Sequence, residues 1–242
     1  MYAKILRLAK KIIKRLLGMD ALDQRLERLF KENEYLEAYS QYTDLRVEAD
    51  PKSAVGGMWE EIGKLQFEFL INKNLQPHHK MLDLGCGTLR GGRHFIAYLH
   101  TGNYYGLDIS PKAIEFAKQL VREEGLSEKS PHLFVSENKD LKFREFSGEK
   151  FDYILAQSVF THLGAEHIKE CFENVGYIMH KSSVFYFTYN RGEESMRTGL
   201  RNFRYTFSYF ESLSEQYGFQ LQDCSRDYNH PRGQLMVELK SL

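Results

Sequence analysis

The chain has 242 residues with 33 basic and 33 acidic side chains, so its formal net charge is zero. The length suits one three-layer α/β domain with an appendage, and neutrality excludes a whole-protein electrostatic pull toward nucleic acid or acidic membranes. The three cysteines, Cys86, Cys171 and Cys224, are far apart and form no Cys-x-x-Cys pair, which argues against a disulfide framework or structural zinc and for a reducing, cytoplasmic setting.

The neutrality hides an asymmetry. Residues 1–18 carry six Lys/Arg and no acid, which leaves the remainder net acidic by six and makes it a poor non-specific binder of polyanions. In this opening stretch Tyr2, Ile5, Leu6, Ala9, Ile12, Ile13, Leu16 and Leu17 recur at helical spacing with Lys and Arg between them. A basic amphipathic helix of this kind reads as an element lying on an anionic membrane surface. Each positive charge near such a leaflet is worth about 1 kcal/mol. Lys10, Lys11, Lys14 and Arg15 interrupt the apolar run that a secretory signal needs.

Residues 19–42 read as a second helix. Met19, Leu22, Leu26, Leu29, Asn33 and Leu36 fall at alternating spacings of three and four, a short heptad seam in which Asn33 suits a parallel homodimer. Asp50-Pro51 and Gly56-Gly57 punctuate the junction that follows. The chain thus divides into an N-terminal helical extension, residues 1–50, and a domain over residues 51–242.

From about residue 58 the chain alternates helix and strand. A helix through Trp59, Ile62, Leu65, Phe69 and Leu70 leads to a strand at Lys80–Leu84, a Gly-rich turn and a helix over Arg93–Leu99. A strand at Tyr104–Asp108 then passes through Ser110-Pro111, an N-cap followed by proline in the first helical position, into a helix over Lys112–Glu124. Strands at His132–Ser136 and Tyr153–Gln157, a helix at Glu166–Met179 and a strand at Val184–Tyr189 follow. A helix at Ser208–Tyr217 precedes a hairpin of Phe219–Cys224 and Gln234–Leu239. Such alternation predicts a parallel sheet covered by helices on both faces, and the hairpin adds one antiparallel strand.

The chemistry concentrates at the Gly-rich turn. Gly85-Cys86-Gly87, followed by Gly91-Gly92 at a helix start, allows a sharp bend and close approach of a ligand. Its Gly-x-Gly-x-x-x-Gly spacing differs from the Gly-x-Gly-x-x-Gly of a dinucleotide site, and Asp83 would repel a pyrophosphate. Asp108, at the tip of the next strand, is placed to accept hydrogen bonds from both hydroxyls of a ribose. Together they ask for a nucleoside with a free ribose and a cationic or zwitterionic tail, and S-adenosylmethionine fits.

Met81–Thr88, Tyr105–Ser110 and Phe151–Leu163 resemble, in order and spacing, the nucleotide-binding motifs of class I S-adenosylmethionine-dependent methyltransferases, over roughly residues 56–242. The resemblance implies an α/β, Rossmann-like, seven-stranded and mostly parallel sheet with one antiparallel strand. By position it places Asp83, Gly85 and Gly87 at the amino-acid end of the cofactor, Asp108 on the ribose and Ile109 against the adenine. Glu137 or Asn138 would meet the adenine amino group, and Gln157 would sit beside the methionine moiety. Cys86 joins this lining as small buried filler rather than as a nucleophile. One departure stands out. The common form has glycine directly after Gly87-Thr88, whereas this chain has Leu89-Arg90. The turn should therefore be remodelled, with Arg90 near the cofactor carboxylate or the substrate.

The acceptor belongs beyond the carboxyl ends of the strands. His162 is the first candidate for a base that takes a proton from an acceptor hydroxyl, and His230 the second; His162 has the alternative role of orienting its loop. Arg191, Arg197, Arg201, Arg204 and Arg232 lie in the loops at this end and suit an anionic acceptor such as a phosphorylated or nucleotide-linked sugar, or else a solvated surface balanced by Glu193 and Glu194. The segment Ser53–Gly63 is a candidate lid, and Trp59 either lines the pocket or packs in the core. No His/Asp/Glu cluster has ligand spacing, so no metal is expected. The functional expectation is methyl transfer to a small-molecule acceptor, namely oxygen on a sugar or glycolipid-type metabolite made near the cytoplasmic membrane. A non-catalytic binding or scaffold protein with this fold is the rival. A nucleic-acid methyltransferase is disfavoured, since Ala156-Gln-Ser-Val-Phe160 lacks the Asn/Asp-Pro-Pro-Tyr/Phe pattern and the globular part is acidic.

Overall fold

The computed structural model describes the chain from residue 19 onward; the basic helix expected over residues 1–18 lies outside the described residues. The strands are β1 (Met81–Leu84), β2 (Tyr104–Asp108), β3 (His132–Val135), β4 (Phe151–Ala156), β5 (Met179–Tyr189), β6 (Met196–Thr198), β7 (Asn202–Arg204), β8 (Phe219–Asp223) and β9 (Leu235–Ser241). Seven of them form one sheet in the order β3-β2-β1-β4-β5-β9-β8. β9 runs antiparallel to both β5 and β8, while β1 through β5 pair in parallel. The expected single antiparallel strand is therefore β9.

Alternation of side chains across the pleat builds two cores. Leu82, Leu84, Tyr105, Leu107, Ile154 and Phe185 point to one face, with Ile168 and Phe172 of α7 (Ala165–Val175) and Phe210 of α8 (Phe207–Tyr217). Met81, Tyr104, Tyr153, Leu155 and Tyr186 point to the other, with Phe69 of α4 (Trp59–Asn72), Phe95 of α5 (Gly92–Tyr98) and Ile114 of α6 (Pro111–Glu123). Strands buried on both faces need apolar residues at odd and even positions alike, which is why these segments read as continuous apolar runs. The expected N-cap forms: Ser110 Oγ accepts the amide of Ala113 at 3.0 Å, with Pro111 opening α6. Among the described residues no helix is long and apolar enough to cross a membrane.

The region before the sheet departs from expectation. Instead of one helix over 19–42, α1 (Met19–Glu32) stops at Asn33 and a new helix, α2, covers Tyr35–Ala49. Asn33 turns its amide back onto the carbonyl of Leu29 at 2.9 Å, and Leu36 faces a cavity in the domain, so the heptad seam is not continuous. α2 packs along α6 and buries Ala38, Ser40, Tyr42 and Val47. It is tied down along its length. Tyr35 donates to the carbonyl of His162 (2.6 Å), Ser40 to the carbonyl of Ile109 (2.7 Å), and Asp44 accepts from Ser110 Oγ (2.6 Å). A second departure lies after β5, in the segment expected as a loop. There β6 and β7 form an antiparallel ribbon, which Phe203 and Tyr205 anchor through bonds to the carbonyls of Thr161 (2.9 Å) and Leu163 (2.6 Å).

Candidate active site

The carboxyl ends of β1, β2, β4 and β5 open into a cavity of about 540 Å³, within the range of small-molecule sites. Its floor is the turn after β1. Gly85 and Gly87 take φ of +71° and +55°, and a Cβ there would come within 2.5 Å of Val159 Cγ2 and 2.7 Å of Val55 Cγ1. Only glycine meets both the backbone conformation and the close approach. The remodelling signalled by Leu89-Arg90 is visible. Leu89 adopts φ of +66° and is fully buried. Arg90 then turns inward, and its Nη1 donates to the carbonyls of Val55 (2.7 Å) and Gly57 (3.0 Å). Arg232 donates to the carbonyl of Gly56, and Thr88 to that of Pro51 (3.0 Å). The segment from α3 (Pro51–Ala54) to Gly57 is thereby folded over the glycine turn.

Two carboxylates stand at the strand tips. Asp83 accepts from the Tyr104 hydroxyl at 2.8 Å, and burial pushes its pKa up to about 7 despite that bond and the nearby Arg90. Asp108 accepts the amides of Gly87 (2.9 Å) and Ser110 (2.8 Å), and burial raises it to about 6. Neither has a cation within ion-pairing distance among the described residues, so a positively charged ligand would relieve both.

His162 follows β4 and lines the cavity. Its Nδ1 lies 2.7 Å from the carbonyl of Arg201. A carbonyl only accepts, so in the neutral ring Nδ1 carries the proton and Nε2 keeps a free lone pair. Burial is the main cause that lowers its pKa to about 4, with the Arg201 charge adding to it; the ring is neutral at physiological pH. His230 lies oppositely. Its Nδ1 accepts the amide of Arg232 at 3.2 Å, which puts the proton on Nε2. In this tautomer His230 offers a donor rather than a lone pair, which suits binding an acceptor group better than the role of base expected from the sequence.

The other expected residues divide. Cys86, Arg90, Ile109, Gln157, Arg204 and Arg232 line the cavity beside Asp83, Gly85, Gly87 and Asp108. Gln157 is held on both sides, its Oε1 by the Tyr228 hydroxyl (2.7 Å) and its Nε2 by Gln234 (3.1 Å). Cys86 is buried, with its thiol pKa pushed well up by burial, as suits filler. Glu137 and Asn138 are exposed and outside the cavity; Ser136, Lys139 and Asp140 line it instead, because the chain turns at Lys139 with φ of +49°. Arg191 is exposed and serves through its carbonyl, which accepts from Arg204 (3.0 Å). Trp59 packs in the core beneath Lys52 and Arg93. The sequence reading missed Tyr39, Tyr42 and Arg46 of α2, all on the wall. The aromatic spacing Tyr35, Tyr39, Tyr42 was the available signal.

Comparison with known proteins fits this arrangement. Residues 82–184 match the family described as methyltransferase domain. The match spans less than half of the chain, and over that stretch the chain is similar to methyltransferase domains. It is 34% identical over 89 residues to geranyl diphosphate 2-C-methyltransferase from Saccharopolyspora erythraea, covering 34% of this chain and 30% of that protein. It is 32% identical over 96 residues to phosphoethanolamine N-methyltransferase 1 from Arabidopsis thaliana, covering 40% and 18%. The chain thus matches less than a third of the length of these relatives. The fold superimposes on magnesium protoporphyrin IX methyltransferase from Synechocystis PCC 6803 with bound SAH. The TM-score is 0.64 and the identity 14%, over 86% of this chain and all of that one.

S-adenosylmethionine, the cofactor of such domains, fits the cavity. Two unpaired carboxylates suit its cationic groups and ribose, and the glycine turn gives the close approach. Arg90 Nε and His230 Nε2 are buried without hydrogen-bond partners, and the Arg90 and Arg232 guanidinium groups converge on Gly56. Unsatisfied buried donors of this kind call for an acceptor, and the cofactor's carboxylate has the right charge.

Proposed function

We propose that this chain transfers a methyl group from S-adenosylmethionine to a hydroxyl of a small molecule of the sugar or glycolipid class, at or near the cytoplasmic membrane. The observation that carries the reading is the His162 tautomer: Nδ1–H is engaged by the Arg201 carbonyl, leaving the Nε2 lone pair free on a ring that lines the cavity whose floor holds Asp83 and Asp108. The cofactor supplies a methyl group on a positively charged sulfur. Asp108 binds the ribose hydroxyls, and Asp83 balances positive charge. Arg90 and His230 donate to the carboxylate, and the loop over residues 55–57 shields the site from water. His162 accepts the proton of the acceptor hydroxyl at Nε2 as the oxygen becomes nucleophilic. The two curated relatives are named for small-molecule acceptors, in keeping with a small acceptor here. The basic residues 1–18 favour an acceptor at an anionic membrane surface.

A screen of the full chain with labelled cofactor against sugars, glycolipids, nucleotide sugars and nucleic acids tests the reaction. Label in a sugar or glycolipid fraction supports the reading; label only in nucleic acid sinks it. Asp108→Ala should weaken calorimetric binding of S-adenosylmethionine on the order of 100-fold, from loss of two hydrogen bonds to a charged group. Unchanged affinity overturns the cofactor assignment. For the membrane part, full-length protein should sediment with anionic liposomes and protein lacking residues 1–18 should not; equal sedimentation of the two refutes it.

A further inference from the structure

The acceptor end of the cavity carries a charge pattern that the methyl-transfer reading does not use. Arg201 and Arg204 lie on the β6–β7 ribbon and line the cavity wall. The neighbouring charges of the wall are engaged: Lys139 pairs with Glu37 (3.0 Å) and Asp140 with Arg144 (2.9 Å), and Arg46 donates to the Tyr42 hydroxyl (3.3 Å) and the Ser53 carbonyl (2.8 Å). Arg201 and Arg204 have no carboxylate within ion-pairing distance among the described residues. The Arg204 guanidinium spends one donor on the Arg191 carbonyl (3.0 Å). The Arg201 guanidinium makes no hydrogen bond among the described residues and lies on the face of Tyr42, 4.7 Å from the ring centroid. It is half-buried. A guanidinium stacked on an aromatic ring, partly desolvated and lacking any acceptor, is prepared for an oxyanion, which its planar fork binds bidentately.

The placement is rigid. The backbone that carries Arg201 also fixes His162: the Arg201 carbonyl accepts from His162 Nδ1 (2.7 Å), and Tyr35 donates to the His162 carbonyl (2.6 Å). Phe203 and Tyr205 pin the ribbon to the loop that bears His162. A group bound at Arg201 therefore has a set distance from the base. Asn190 and Asn202 add neutral polar groups to the same wall. Of the acidic side chains of the cavity, Asp140 is paired with Arg144, and Asp83 and Asp108 stand on the strand tips of the floor.

We infer that the methyl acceptor carries an oxyanion, a phosphate ester or a carboxylate, near the hydroxyl that is methylated, and that Arg201 and Arg204 bind it. This rests on the cavity being the methyltransferase site proposed above. Arg201 and Arg204 are in this view specificity-determining residues, and Arg191 and Arg197 are not part of the clamp.

The test uses the full chain saturated with S-adenosylhomocysteine, titrated calorimetrically with inorganic phosphate, inorganic pyrophosphate and glucuronate, with glucose as the neutral control. Saturable binding of at least one oxyanion and none of glucose is expected, and the preference between phosphate and carboxylate probes names the source of the anion. Arg201→Ala and Arg204→Ala should each weaken oxyanion binding at least tenfold without changing affinity for S-adenosylhomocysteine, and Arg201→Lys should recover part of the loss. Unchanged S-adenosylhomocysteine affinity shows that a variant is folded; if Arg201→Ala loses it, Arg201→Lys and Arg204→Ala carry the decision. No oxyanion binding by protein that binds S-adenosylhomocysteine overturns the inference, as does oxyanion binding indifferent to these substitutions. Failure to bind S-adenosylhomocysteine is instead the failure of the cofactor reading.

Discussion

The floor and the roof of the cavity are built on different principles. The floor, from Asp83 through Gly87 to Asp108, is acidic and made from two adjacent strand tips joined by parallel pairing of Asp83 with Gly106. The roof is aromatic and basic. It brings Tyr39 and Tyr42 of α2 against His162 and Arg201, residues more than a hundred positions away in the chain. The floor binds a ligand whose chemistry a short motif can specify. The roof selects a ligand by surfaces that only folding brings together. Methyltransferases that share a floor can therefore differ in acceptor, because function resides in sites placed on a common fold.

This contrast can be broken experimentally, first at the roof. Replacing His162 by Gln keeps a polar side chain but removes the basic lone pair. Turnover on a hydroxyl acceptor should fall by about 10²- to 10⁴-fold, while S-adenosylmethionine affinity holds. Undiminished single-turnover rates would leave His162 an orienting role only.

At the floor, Gly87→Ala forces a side chain into a left-handed conformation at about 1 kcal/mol and drives Cβ against Val55. Cofactor affinity should drop on the order of tenfold. Adding Val55→Ala should recover the steric part of that loss, measured by calorimetry; no recovery would mean that the fold of residues 55–57 over the turn contributes nothing.

The smallest effect separates floor from roof by pH. Burial raises Asp83 to about 7 and Asp108 to about 6. The folded ligand-free protein therefore holds protons more tightly than the unfolded chain, and these groups' contribution to stability falls as pH rises from about 4 through 7. A cationic cofactor favours the ionised carboxylates. Its affinity should rise about three- to tenfold between pH 5 and 8, and Asp83→Asn should flatten that rise. Melting temperatures with and without S-adenosylmethionine across this range give the readout; a slope that survives Asp83→Asn assigns it elsewhere.

Much of the floor was legible because its signals are local. Glycines with positive φ, an acid ending each of two strands, and Ser110-Pro111 opening a helix each act within a few residues. The periodicity of β1, β2 and β4 likewise follows from burial on both faces. Glu137 and Asn138 stand exposed outside the cavity, next to the left-handed Lys139, while Ser136, Lys139 and Asp140 line it, a choice of inward side chains that spacing did not reveal. Leu26, Leu29 and Leu36 read as one seam because spacing says nothing about a break. α2 lacks a clean apolar stripe, being covered on several sides by polar and aromatic contacts, so periodicity did not reveal that it closes the site.

The sequence by itself determined the doubly covered sheet, its antiparallel strand and the carboxylate–glycine floor, because burial alternation and backbone conformation are short-range constraints. Tertiary structure alone decided the tautomers of His162 and His230, the inward turn of Arg90 and the meeting of Arg201 with Tyr42. Each of those depends on a hydrogen-bond or stacking partner supplied by a distant segment, and such partners carry no signature until the chain has folded.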